Sequence, residues 1–160
     1  MGLTSAGMLP GAQSLREEQL ADERYGPLLR RLEAEEMGLQ QPQLPDPACE
    51  RALQAQLPSY QAVGGLLHYK SHGDLPGSVG LRLVIPAALQ AQVLQEVHNG
   101  VLGAHIGTAK MHGLLQRRFF WHGMWTAAKN WVAGCAACRQ AKTSVRARPH
   151  GVGNLAEFPF

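Results

Sequence analysis

Four side chains constrain the fold of this chain more than any others: His98, His105 after six intervening residues, and, after twenty-nine more intervening residues, Cys135 and Cys138 with two residues between them. A Cys-x2-Cys turn brings two sulfurs within reach of one ion, and zinc takes neutral imidazole and thiolate in a tetrahedron, with sulfur at about 2.3 Å. Two histidines and two cysteines complete such a set. Four protein ligands leave no position for water or substrate, so the expectation is one structural Zn2+ whose binding free energy is part of the folding free energy. The alternatives are a chance grouping of core or surface histidines with a buried cysteine pair, or a thioredoxin-like dithiol. The dithiol wants a strand before Cys135 and a helix starting at it, whereas the apolar pattern ends a helix there. The remaining cysteine, Cys49, makes an odd count that cannot all pair within the chain, and it reads as a small buried hydrophobe or a free surface thiol.

A metal staple is needed because the elements around it are short. Leu89, Val93, Leu94 and Val97 form one helical stripe over about 87–98, begun by Pro86 at a position that needs no amide bond. Met111, Leu114 and Leu115 predict a helix over 108–118 with Thr108 as its cap, and Met124, Ala128, Trp131 and Val132 another over 124–133, with Gly134 ending it in a left-handed conformation. Three helices of this length bury too little apolar surface to be secure alone. Ahead of them, the runs Val63–Tyr69 and Leu81–Ile85 flank the turn-rich SHGDLPGSVG and predict a β-hairpin over 63–85.

Further upstream, 38–47 is a connector with Pro42, Pro45 and Pro47, and Leu15, Leu20, Leu28, Leu29 and Leu32 mark helical segments before it. Ser14 and Glu17 look like a capping box at their start, and Gly26-Pro27 is expected to break them in two. The organisation read from this is a disordered leader 1–13, helical segments with a Pro-rich connector 14–57, a zinc-binding domain 58–142 and a basic tail 143–160. The fold class is mainly α: a small zinc-stabilised three-helix domain preceded by a β-hairpin and N-terminal helical segments. Phe119, Phe120, Trp121, Trp125 and Trp131 are assigned to its core. His68, His72, His112, His122 and His150 are read as exposed or hydrogen-bonded histidines, and Gly103 and Gly107 as the residues that let the loop bring His105 inward.

Charge divides the chain. Residues 1–80 hold 6 Lys and Arg against 10 Asp and Glu, whereas residues 81–160 hold 9 against 2. Basic residues gain by displacing the counterions condensed on nucleic acid, so the second half is where such a partner is expected. The candidates are Lys110, Arg117, Arg118, Lys129, Arg139, Lys142, Arg146 and Arg148, the last four spaced like an arm that follows phosphates. The plainer reading of the same residues is a solvated face. No apolar run approaches the roughly 20 residues of a membrane span, and Arg16 comes late for a secretory leader, so the expected location is intracellular and nuclear, with no membrane and no small-molecule substrate.

These residues resemble a known family, the zinc-binding domain that precedes the catalytic core in integrases of gypsy-type retrotransposons. The resemblance runs from about Gly65 to Lys142 through GLLHYK, RLVIP, the helix ending in His98, GAHIGTAKM, RRFFWHGM and CAACRQAK. It implies that His98, His105, Cys135 and Cys138 are the zinc ligands, and that the chain serves DNA integration by holding element DNA ends and promoting subunit assembly, with itself or with an integrase catalytic core. Two positions depart from the family pattern, Ala104 where it usually has glycine and His122 where it usually has proline, and neither is an implied ligand. The family's core holds two divalent metals on three carboxylates, whereas the 18 residues after Lys142 contain one acid, Glu157, from which two-metal phosphoryl transfer cannot be built. The chain is therefore expected to be no enzyme by itself. Two further readings stay open: a domesticated or truncated remnant acting as a protein-interaction module without DNA binding, and one piece of a longer polyprotein.

Overall fold

The computed structural model describes residues 9–40, 46–71, 80–99 and 105–140. The expected leader and basic tail, with Gly103, Ala104, Lys142, Arg146 and Arg148, lie wholly or largely outside them. The fold is mainly α, with six helices, a further helical stretch at 136–140, one 3-10 turn and a four-stranded sheet among the described residues.

The first helix, α1 (Ala12–Ala21), starts before Ser14 rather than at it. Gly11 occupies the cap position without a side-chain bond, and Gln13 reaches Glu17 at 3.1 Å, so no capping box forms. The break before α2 (Tyr25–Glu36) falls at Asp22–Arg24, not at Gly26-Pro27. Asp22 makes it: its Oδ1 accepts from the amides of Arg24 and Tyr25 at 2.9 and 3.1 Å. Pro27 then sits in the first turn of α2, where its missing donor costs nothing. Gly26 is required by close approach, since a Cβ there would stand 2.4 Å from the Leu20 carbonyl oxygen. Pro47, assigned to the connector, instead opens α3 (Pro47–Gln56), with Asp46 accepting from the Ala48 amide at 2.9 Å as an N-cap. A 3-10 turn, Leu57–Ser59, leads into the sheet.

The sheet runs in chain order: β1 (Tyr60–Val63), β2 (Leu66–Lys70), β3 (Leu81–Val84) and β4 (Phe119–Phe120). The expected pairing of β2 with β3 is antiparallel, from His68 opposite Leu83 to Lys70 opposite Leu81. The apolar run assigned to one strand is in fact two, folded at Gly64 and Gly65, both at positive φ as a two-residue hairpin turn demands. β4 lies parallel to β3, with Leu83 opposite Phe119 and Val84 opposite Phe120.

After β3 come α4 (Ala87–Asn99), α5 (Thr108–Leu115) and α6 (Met124–Gly134). Helix α5 ends at Leu115 rather than at 118 because the chain turns into β4, the carbonyl of Arg118 accepting from the Leu83 amide at 2.8 Å. Thr108 is its first residue and not its cap, which is Gly107. Gly134 closes α6 without a left-handed φ, and the helix stops because Cys135 is extended.

One core cluster joins Tyr25, Leu28 and Leu29 of α2 to Leu67 and Val84 of the sheet and to Val93, Met111, Leu115 and Ala128 of the later helices. Gln19 of α1 is fully buried in it. Its Nε2 donates to the carbonyls of Leu67 and Val84 at 3.2 and 2.7 Å, and its Oε1 accepts from the Leu67 amide at 2.8 Å. The side-chain amide thus continues the β2–β3 ladder one step past His68 and Leu83, taking backbone groups that would otherwise be buried unpaired. Two more polar bonds fasten the N-terminal helices to the later half: Asp22 Oδ2 accepts from the Ala87 amide at 2.9 Å at the start of α4, and the Tyr25 hydroxyl accepts from the His122 amide at 3.0 Å. Of the aromatic residues assigned to the core, Phe119 and Trp121 are buried, and Phe120 and Trp131 are partly buried and packed on it. Trp125 is not core; half of its surface is exposed.

Candidate metal centre

His98 arrives from the last turn of α4, where the stripe of Val93 and Leu94 turns it inward and leaves it 1 % exposed. His105 has a left-handed backbone, φ 57°, the one non-glycine residue with positive φ among those described. That conformation is uncommon for a side chain with a Cβ and collects at functional positions. The His105 amide donates to the His98 carbonyl at 3.1 Å, which ties His105 back onto the helix end. Freedom to turn inward thus lies at the ligand itself, whereas Gly107, assigned that task from sequence, is extended.

The paired cysteines lie where α6 stops and a second helical stretch, 136–140, begins. A helix does start right after Cys135, contrary to the sequence expectation, but a helix and not a strand precedes it, so the thioredoxin arrangement is absent here. The Cys135 sulfur is hydrogen-bonded first by the backbone amide of Cys138, then by the Cys138 side chain and by the amide of Ala137, and these bonds hold its thiol below the ordinary range and favour the thiolate. Burial, and after it the charge of His105, lowers the pKa of His98 and favours the neutral imidazole. His98 and Cys135 are thus biased toward the protonation states in which they bind metal.

The distances test the fit. Metal–nitrogen bonds of about 2.0 Å and metal–sulfur bonds of about 2.3 Å at tetrahedral angles place neighbouring ligand atoms about 3.3 to 3.8 Å apart. His98 Nε2 is 3.4 Å from His105 Nδ1, Cys135 Sγ is 3.4 Å from His105 Nδ1, and Cys138 Sγ is 3.4 Å from His98 Nε2. All four donor atoms lie within 4.8 Å of one another. Three edges of the set therefore have the lengths of a zinc tetrahedron, and the four residues are positioned to hold one zinc ion. His98 would bind through Nε2 and His105 through Nδ1. The other nitrogen of His98 is buried without a hydrogen-bond partner among the described residues.

Comparison with known proteins agrees with this geometry. Residues 85–144 match the family model described as the integrase zinc binding domain. This segment is similar to the integrase zinc-binding domain. Among curated proteins, the chain is 33% identical over 69 residues to the gypsy retrotransposon integrase-like protein 1 of Homo sapiens and to that of Macaca fascicularis, covering 42% of this chain and 13% of each relative. The Bos taurus protein of the same name is 33% identical over 58 residues, 36% of this chain and 12% of its own. The chain thus spans about an eighth of the length of the curated relatives it matches. No solved structure matches it significantly.

The other sequence candidates do not converge on the metal. Lys110, Arg117, Arg118, Lys129 and Arg139 are all exposed. Lys110 lies on α5, Lys129 on α6, Arg117 and Arg118 between α5 and β4, and Arg139 just past the last ligand. His68 is hydrogen-bonded to the Leu66 carbonyl at 3.0 Å, His122 is exposed, and His112 meets the ring of Trp125. Cys49 is the surface thiol of the two readings, bonded to Asp46 at 3.2 Å. No described helix is long and apolar enough to cross a membrane.

Proposed function

We propose that this chain is a non-catalytic, integrase-type zinc module that binds DNA and supports subunit assembly in DNA integration, acting in the nucleus. The observation that carries the reading is the gathering of the donor atoms of His98, His105, Cys135 and Cys138 within 4.8 Å of one another, where the end of α4 meets the end of α6. When bound, zinc supplies no reaction; it joins those segments. The ligands then hold α5 and α6 with Lys110 and Lys129 turned outward, and Glu96 is the sole acid between residues 81 and 140. Such a surface attracts phosphates without reading sequence. An open groove of about 750 Å³ between α4 and α6, lined by Ala87, Ala91, Leu94, Ala127 and Trp131 beside the metal centre, supports the assembly half of the proposal.

The test is a salt titration of affinity for duplex DNA. Affinity is expected to fall steeply as salt rises, and replacing Arg146 and Arg148 together to reduce the slope of log K against log salt by about 2. A salt-independent protein partner with no gel shift would instead favour the protein-interaction reading, to which the α4–α6 groove lends its own support.

A further inference from the structure

Trp125 is the single large aromatic side chain among the described residues that lies half exposed, and it does not stand alone. The ring of His112 on α5 meets it edge to face, centroids 5.1 Å apart and planes at 83°, which fixes the indole against the protein. The charge of Arg82 of β3 reaches His112. Partial burial first, and then the charge of Arg82, hold His112 below its ordinary pKa. The guanidinium of Arg82 has one hydrogen bond, from Nη2 to the Ser71 hydroxyl at 2.8 Å. Its Nε is buried with no partner, and no carboxylate pairs with it among the described residues. One turn along α6 from Trp125, on the same face, is Lys129, exposed and likewise without an ion pair among the described residues.

A half-buried guanidinium with no carboxylate partner among the described residues is a candidate anion site, because partial burial strengthens its pull on a charge brought to its open side. An exposed indole held by His112, with Lys129 one helical turn away and the charge of Arg82 felt at His112, matches one ligand chemistry, a flat aromatic ring joined to phosphates. We propose that Arg82, His112, Trp125 and Lys129 form a site for an unpaired nucleotide, its base stacked on the indole and its flanking phosphates held by the two cations. A base paired within a duplex cannot offer its face in this way, so the site selects single-stranded or frayed ends over continuous duplex. The inference rests on the nucleic-acid reading above and adds to it which form of nucleic acid is held, and where.

The test is fluorescence anisotropy of the full chain with labelled oligothymidylate, an abasic strand of the same length, and a blunt duplex, at one salt concentration. The wild type should prefer the thymidylate to the abasic strand by about tenfold. Trp125→Ala should remove that preference while leaving abasic binding unchanged, and Trp125→Phe should keep most of it. Arg82→Gln or Lys129→Gln should weaken both strands and lower the salt slope. Zinc content and circular dichroism should match the wild type in the Trp125 variants, since half of that side chain is in solvent. An oligouridylate run in parallel separates RNA from DNA as the source of the stacked base. If Trp125→Ala changes thymidylate and abasic binding equally, or neither, the site is overturned while the DNA reading stands; if no strand binds, both fall.

Discussion

The N-terminal helices and the metal-bearing helices share one core, yet they are held to it by different means. α4, α5 and α6 converge on four ligands drawn from His98 to Cys138, so one ion is positioned to close them together. α1 and α2 have no such device. They are fastened by side chains that bond to distant backbone: Gln19 to Leu67 and Val84, Asp22 to Ala87, Tyr25 to His122, and Arg16 to the Gly65 carbonyl at 2.7 Å. One ion concentrates the stability of the second region in a single event, whereas the first distributes it over bonds that each contribute about 1 kcal/mol. The two should therefore fail differently: the metal-bearing region all at once, the N-terminal region by degrees.

The most severe break is at the metal. Structural zinc contributes about 10–16 kcal/mol in small zinc-dependent folds, as much as or more than the whole stability of an ordinary domain. Cys138→Ser, or a strong chelator, is expected to release the ion and to collapse helical circular dichroism. Hydrogen exchange should accelerate first in α4–α6 and only then in α1–α2. Exchange that rises first in the N-terminal helices would mean that the metal is not what closes the second region.

Gln19 comes next. Gln19→Leu keeps most of the volume but leaves the amide and carbonyl of Leu67 and the carbonyl of Val84 buried without partners, and each such group costs about 1–3 kcal/mol. A loss of about 3 kcal/mol is expected in urea unfolding of the zinc-loaded protein, with zinc stoichiometry unchanged. Gln19→Glu should be nearly as costly, because an ionised carboxylate can accept from Leu67 but cannot donate to either carbonyl. A cost under about 1 kcal/mol in both variants would show that the sheet closes the β2–β3 ladder without the side chain.

How much of this was legible in the sequence follows the same division. The ligands could be read because zinc chemistry restricts both residue type and spacing, and the three later helices because their apolar residues recur at helical period. The docking of α1 and α2 could not. Gln19, Asp22 and Arg16 are polar residues in a charged helical stretch, and nothing local separates an amide that enters the core from one that faces water. The Gly64-Gly65 pair was a hairpin signal inside a run treated as one strand, and β4, two residues long, is too short to have a period. Trp125 was assigned to the core by residue type, although it lies next to Met124, which takes the buried side of α6. The left-handed His105 had no local signal at all; it follows from where the other three ligands stand.

Alkaline pH gives a smaller, graded test of the N-terminal packing. Tyr60 is packed between Tyr25, Tyr69 and Phe120, with ring centroids 5.5–6.4 Å away, and burial, followed by the charges of Tyr25 and Tyr69, pushes its pKa up to about 12. In the unfolded chain the same hydroxyl ionises near pH 10. The folded state therefore keeps a proton that the unfolded state gives up, so stability is full below about pH 10 and falls as pH rises toward 12. Urea midpoints at about pH 9 and about pH 11 should differ by about 1 kcal/mol more in the wild type than in Tyr60→Phe. Equal differences would place the alkaline sensitivity elsewhere, with Tyr25, also raised by burial, the next group to replace.

The smallest effect expected is at Arg16, which pairs with Glu33 of α2 while bonding to the Gly65 carbonyl in the β1–β2 turn. Both partners are partly in solvent, where such pairs are worth about 0–1 kcal/mol and are screened by salt. Arg16→Met keeps the stem that packs beside Gly65 and removes the charge. It should lower stability by less than about 1 kcal/mol at low salt, and the gap from wild type should narrow as salt rises, down to the residue left by the bond to the neutral carbonyl. A loss as large as that of Gln19→Leu would mean that the N-terminal helices hang on one contact after all, and that their attachment is as concentrated as the metal's.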